Sequence, residues 1–424
     1  MSSSSLSEET RTLLPHTSSS SSSSSQKEKQ QKEGSYVGTI LNLIKTCMGT
    51  GVLTLPFAAQ QGGVLLHTLG ILGIAGWNLV SVQRLCHCWE YLCVEDGSTR
   101  SSCSSMLGLV ARKAMGKAGV WLVDTSMFLL LMGIIIAYQD AVFGFWQATD
   151  YSTGSDWGDA LVTLLVLVPL STVPHMGHLA KASAIGLTVL LLTLIVIAFY
   201  GDYTMATTSI HWFPQSGLEG LSKWFGCVVF GFGVVPLTYH YRTSMEEPHR
   251  MVEATFVALL GVASLYILVG LGLACGFHIQ GDVLSALPLE GWLPKVVRLG
   301  MVIVILATAP LLIVPCAELL EGHLAAGASH VGVHTQLGIR VAICGAATLI
   351  AITVPGFVNV LSFVGCCCVA FVGFVIPPLL DVLVRWRVLS RSERVLDILL
   401  LIWGLVASII SSGYTLRQMM QQDR

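Results

Sequence analysis

The sequence predicts an all-α polytopic membrane protein of about eleven helices, the first and sixth of them broken. Three observations carry this. Hydrophobic residues make up 53% of the 424 positions and charged residues 11%, against about 25% charged in a soluble domain, and mean hydropathy is +0.72. Apolar runs long enough to cross a bilayer, about 20 residues, recur from residue 36 to near the end. Two of those runs are interrupted alike, by Gly-x-Gly followed by proline. So few charges do not solvate a soluble enzyme or a disordered scaffold of this length. With 23 basic and 25 acidic residues there is no polyanion-binding excess.

Residues 1–35 stand apart. Ser18–Ser25 is an unbroken serine run and Gln26–Glu33 is wholly polar. Such a composition buries too little apolar surface to offset the entropy of ordering, so this is read as a disordered tail. No apolar stretch precedes Tyr36, which excludes a signal peptide. Within the tail, Glu9-Thr10-Arg11-Thr12-Leu13-Leu14 fits the acidic dileucine pattern read by sorting adaptors. A sorting adaptor at Glu9, Leu13 and Leu14 favours a vacuolar or lysosomal membrane over the plasma membrane.

The spans fall near 36–60, 62–92, 119–147, 157–173, 179–200, 222–244, 250–277, 295–320, 336–354, 357–384 and 394–416. The fourth is short, and Pro355-Gly356 alone separates the ninth from the tenth. Lys and Arg gather on one side, including Arg100, Arg112, Lys113, Lys117, Lys181, Arg242, Arg250, Arg385 and Arg387. The opposite loops 149–156, 201–221 and 278–294 hold none. The positive-inside rule then places the N-terminus in the cytoplasm. Residues 104–118 read as an interfacial amphipathic helix on that side. Most of the 12 cysteines lie within spans, where they serve as small packing residues rather than disulfides. His323, His330 and His334 read as a polar loop rather than a metal site.

Span one runs Asn42-Leu-Ile-Lys45-Thr46-Cys-Met-Gly49-Thr50-Gly51-Val-Leu-Thr-Leu-Pro56, and span six runs Phe230-Gly231-Phe232-Gly233-Val-Val-Pro236. Glycine and proline weaken a continuous helix. Backbone freed at membrane depth must line a cavity or be buried in protein. The amides at such a break attract a carboxylate. Spans one and six occupy matching positions in two five-helix halves, 36–203 and 222–385, with 394–416 as an extra helix of the transmembrane domain 36–417. Paired breaks of this kind point to a transporter binding site.

The stretch Asn42 to Ala58, N-x-x-K-T-x-x-G-T-G-V-L-x-L-P-F-A, resembles the first-span signature of the amino acid/auxin permease family, within the amino acid-polyamine-organocation superfamily. Vacuolar and proton-coupled amino acid transporters are nearest in pattern. Ser244-Met245 with Pro248, and Pro310, Pro315 and Glu318, extend the resemblance, which covers 36–417. It implies a LeuT-like 5+5 inverted repeat and secondary active transport of amino acids by alternating access. No cofactor is expected, and the coupling ion is a proton, with sodium as the alternative. Two departures stand out. Proton-coupled members often carry His where Asn42 stands, and often Arg where Ala317 precedes Glu318.

An amino acid is a zwitterion. Its carboxylate is assigned to the amides around Gly49, Thr50 and Gly51, and its ammonium to carbonyls around Phe230, Gly231 and Phe232. Thr46 and Thr308 offer hydroxyls, Thr308 being the candidate for a sodium site, and Tyr138 in span three lines the pathway. Asn42, Lys45, Asp140 and Glu318 are the candidates for gating or coupling, since ionisable groups within spans are costly. A sensor of the same fold, signalling through its tail with little flux, is the rival reading. The chain shows no P-loop, no polar ring of a pore and no catalytic cluster, and it is read as no enzyme.

Overall fold

The computed structural model describes residues 35–95, 106–172, 176–201, 210–214, 217–277, 279, 281–324, 332–354 and 356–422. Glu9, Leu13, Leu14, the rest of the tail and His330 lie outside the described residues. Every regular element among the described residues is helical.

Helix α1 (Tyr36–Cys47) leads through a 3-10 turn (Thr50–Thr54) into α2 (Leu55–Glu95). Then follow α3 (Met106–Gln147), α4 (Asp156–Ser171), α5 (Met176–Tyr200), α6 (Gly217–Gly231), α7 (Thr238–Ser244) and α8 (Met251–Ala274). Helices α9 (Trp292–Thr308) and α10 (Pro310–Leu324) adjoin at Ala309, and α11 is Val333–Thr353. Helix α12 (Phe357–Val364) runs through two π turns into α13 (Ile376–Arg385), and α14 (Arg391–Gln422) closes the order.

All eleven expected segments contain helix, but they do not form eleven separate long rods. Among the described residues, eight helices are long and apolar enough to cross a membrane. The second half of span one and all of span two form one run, Thr50–Leu92. The reason is local. The turn between them is the single residue Gly63 at φ +70, where a Cβ would stand 2.8 Å from the His211 carbonyl oxygen. The amides freed there, Val64 and Leu65, donate to His211 and Trp212 carbonyls at 3.0 and 3.2 Å. Helix α4 has only 16 residues, and the described apolar part of α5 is Ile185–Tyr200. A helix stands where the interfacial one is expected, set off from span three by Gly116 at φ +65. Its Leu107, Val110 and Ala111 are buried while Arg112 and Lys113 are exposed.

The helices sort into two groups. Helices α1, α2, α6 and α8 pack together, and α3, α4, α10 and α11 form the other group, with α9 against α3 and α5. The second group has its own core of Ile135, Leu167, Ile313, Cys316, Ile343 and Ala347. Span ten touches both groups. It approaches α6 backbone to backbone, since a Cβ on Gly365 would lie 2.0 Å from the Gly226 oxygen. Small residues at such a crossing are how helices pack where lipid supplies no hydrophobic drive.

Each end of the bundle is tied by polar groups. At the basic end, buried Arg84 of α2 lies 2.8 Å from Asp397 of α14 and 3.7 Å from Asp381 of α13, and Arg385 lies 3.0 Å from Asp381. At the opposite end, buried Arg298 of α9 donates to the carbonyls of Leu287 and Pro288 at 2.8 and 3.0 Å. Val283 donates to Leu53 at 3.0 Å. The connection 281–291 is thereby fastened over span one.

Candidate substrate site

The first break lies where the sequence places it. Met48 (φ −79, ψ 65) and Gly49 (φ −105, ψ −164) leave the helix. The Gly49 amide donates to Cys47 at 2.9 Å, so it serves the turn. The amides of Thr50 and Gly51 stand at the start of the 3-10 turn, where a helix end supplies no acceptor and carries partial positive charge. The Thr50 hydroxyl is buried and has no hydrogen-bond partner.

The second break begins at Phe232. Its amide reaches back to Val229 at 3.1 Å, Val234 donates to Phe232 at 2.7 Å, and a short 3-10 turn through Pro236 leads into α7. The two breaks face each other. A Cβ on Gly51 would stand 3.0 Å from Phe230 Cδ1 and 3.8 Å from Gly231 Cα. Tyr138 approaches from span three, its hydroxyl 3.8 Å from where a Gly49 Cβ would be. Gly49, Thr50, Gly51, Tyr138, Phe230 and Gly231 are therefore brought together.

Tyr266 of α8, which the sequence reasoning missed, joins the breaks. It is fully buried. Its hydroxyl lies 2.5 Å from the Cys47 carbonyl and 2.9 Å from the Gly231 carbonyl, and its ring meets Phe232 at 5.1 Å. The Gly231 carbonyl thus already has a donor. A hydroxyl in the middle of an apolar run has to find a partner, and that was the signal available in the sequence. His67 of α2 was also missed. It is wholly buried and accepts from Trp224 Nε1 on α6 at 3.3 Å.

The remaining candidates lie apart. Thr46 donates to the Asn42 carbonyl at 2.9 Å and touches the Tyr241 hydroxyl, near the basic end. Thr308 bonds back to Val304 and Ile305 at 2.9 and 3.1 Å. Asn42 and Glu318 are exposed and Lys45 is half-buried. Asp140 is 6% exposed. Its Oδ1 accepts from the Gly356 amide at 3.4 Å, and its Oδ2 is buried with no partner. Asp282, in the connection that covers span one, lies close enough to act on Asp140 electrostatically. Burial pushes the Asp282 carboxyl above the ordinary range, while the Ser285 amide at 3.0 Å and Arg298 pull it back.

Two interrupted helices that meet at their breaks inside an apolar bundle are the mark of a membrane carrier of small solutes. The chain belongs to the family of transmembrane amino acid transporter proteins, whose profile matches residues 32–419. Similar proteins include amino acid transporter ANT1 of Arabidopsis thaliana, 25% identical, covering 90% of this chain and 92% of that one. The proton-coupled amino acid transporter-like protein pathetic of Drosophila melanogaster is 23% identical over 82% of this chain and 77% of its own. Amino acid transporter AVT3A of Arabidopsis thaliana is 25% identical over 88% and 87%. Among solved structures, a sodium-coupled sialic acid symporter in an outward-open state superposes with TM-score 0.47 at 8% identity, covering 93% of this chain and 97% of the other. MhsT in complex with L-phenylalanine gives 0.45 at 14% identity, covering 90% and 97%.

Proposed function

We propose that the chain is a secondary active transporter that moves amino acids by alternating access and is driven by protons. The observation that carries this is the meeting of the two breaks, Gly49–Gly51 against Phe230–Phe232. The substrate carboxylate takes the Thr50 and Gly51 amides, with the Thr50 and Tyr138 hydroxyls beside them. The ammonium takes the Phe230 and Gly231 carbonyls, sharing the latter with Tyr266. Membership of an amino acid transporter family supports the substrate class. The group of α1, α2, α6 and α8 then moves against that of α3, α4, α10 and α11. Of the coupling candidates, Asp140 has the burial and the unpartnered oxygen that a proton carrier needs, and a carboxylate there is costly unless protonated or paired. The dileucine at Glu9, Leu13 and Leu14 supports a vacuolar or lysosomal membrane, with the basic side in the cytoplasm.

Uptake of a labelled amino acid mixture into proteoliposomes tests this, under a proton gradient and separately a sodium gradient. Accumulation driven by protons and abolished by Gly51→Leu is the expected result. Saturable binding without accumulation under either gradient overturns it.

A further inference from the structure

Asp140 and Asp282 are carboxyls from different elements, 6% and 8% exposed, and they stand near enough to repel each other. Asp140 follows the site's Tyr138 on α3. Its Oδ1 meets the Gly356 amide at the start of α12, and its Oδ2 is buried with no hydrogen-bond partner. A carboxylate oxygen so placed is costly unless it carries a proton or meets a cation. Asp282 lies in the connection from α8 to α9, where its Oδ1 accepts from the Ser285 amide at 3.0 Å. The next residue, Val283, makes the 3.0 Å bond to Leu53 that fastens the connection over span one. Gln60 of α2 holds the same connection further back, giving to the Ala274 and Phe277 carbonyls at 3.1 and 2.6 Å and accepting from the Ile279 amide at 3.2 Å.

Arg298 is the cation that bears on Asp282. Lys295 and Asp150, at the same end, pair with each other at 2.5 Å, and Glu290 is exposed. With both carboxyls ionised, Asp140, Asp282 and Arg298 together hold one net negative charge out of water. With one proton they are neutral. Neighbouring buried carboxyls resist ionising together, and the proton then belongs to the pair rather than to either member.

We propose that Asp282 is the second half of the proton site, that it and Asp140 hold one proton between them, and that this proton keeps the connection 281–291 shut over span one. This deepens the proton-driven transport reading above and rests on it. The proton comes from the water that the connection faces, and the neutral pair lets the connection close over a filled site. Once the proton has passed to the water on the other side, the pair keeps a charge that water alone can relieve. The connection then lifts from Leu53 and admits that water, which reopens the site to its starting side.

The test compares the wild type, Asp282→Asn and Asp282→Glu in proteoliposomes, with melting in detergent to check folding. Asparagine keeps an oxygen for the Ser285 amide and takes no proton, whereas glutamate takes one. In Asp282→Asn, proton-driven accumulation is expected to fall about tenfold or more, while counterflow exchange, which needs no net proton movement, persists. Asp282→Glu restores part of the accumulation. Closure is read with a water-soluble maleimide on Leu284→Cys, a buried position of the connection, against Leu289→Cys, an exposed one. The ratio of the two labelling rates is expected to rise about tenfold from about pH 5 to about pH 8, and Asp282→Asn abolishes that rise. Accumulation by Asp282→Asn within about twofold of the wild type overturns the inference and leaves Asp140 and the transport reading standing. So does loss of accumulation and exchange together in a variant that melts as the wild type does, which makes Asp282 a structural group. So does a labelling ratio that does not move with pH. A wild type driven by sodium and not by protons overturns both the inference and the proton coupling, and one that accumulates no amino acid overturns the transport reading as well.

Discussion

At the scale of single residues, the site depends on groups that hold freed backbone. Removing the Tyr266 hydroxyl leaves the Cys47 and Gly231 carbonyls without their shared donor in a buried place. Tyr266→Phe is therefore expected to cost about 1–3 kcal/mol of stability and to reduce uptake far more than the fall in melting temperature accounts for. Measuring both on one preparation checks this, and unchanged uptake contradicts it. Asp140→Asn keeps the Gly356 amide paired but cannot carry a proton. Proton-driven accumulation is expected to disappear while exchange of substrate across the membrane persists, which counterflow measurements distinguish.

At the scale of elements, the breaks were legible in the sequence because glycine and proline act locally. Gly49–Gly51 and Gly231–Pro236 interrupt their helices wherever the neighbours lie. A helix over 104–118 followed from amphipathic pattern alone, whereas its bend at Gly116 was not read from the sequence. His67 was not legible and Tyr266 only as a hydroxyl in want of a partner, since each matters through the helix it meets: α1 and α6 for Tyr266, α6 for His67. The same limit applies to the assignments made from residue type. Thr308 and Thr46 offered hydroxyls in the sequence, and in the fold those hydroxyls bond to their own helix. The crossing of α6 with span ten yields a further prediction. A side chain at Gly365 has the Gly226 carbonyl in its way, and overpacking of this kind costs about 1–3 kcal/mol or more. Gly365→Leu is expected to lower the melting temperature in detergent, whereas Gly413→Leu, where nothing stands within 4 Å, leaves it unchanged.

At the scale of the whole molecule, the two ends are held by different chemistry and respond to different insults. At the basic end Arg84 compensates two carboxylates, Asp381 and Asp397, that are fully buried. Removing one partner of such a set strands the other charges, at about 3–5 kcal/mol, so Arg84→Met is expected to prevent stable folding while Arg84→Met with Asp397→Asn partly restores it. Yield of monodisperse protein checks this. At the opposite end the connection 281–291 carries Asp282. Its folded carboxyl titrates above the unfolded value, so the folded state binds the proton more tightly. Stability from this group is greatest below the unfolded value and is lost as pH rises through the raised one. Melting followed upward from about pH 4 is expected to show this decline in the wild type and a flatter profile in Asp282→Asn.

A phenol carries one hydrogen. Tyr266 sets its oxygen within reach of two carbonyl oxygens, one at the end of each interrupted helix, and can donate to only one of them at a time. The Cys47 carbonyl also accepts from the Gly49 amide at 2.9 Å, so when the phenol turns to it the Gly231 carbonyl is the one that gives up the Tyr266 hydrogen. An arriving ammonium supplies three. In the site proposed above, that ammonium meets the Gly231 carbonyl, and Tyr266 is then free to give its one hydrogen to the end of the first helix.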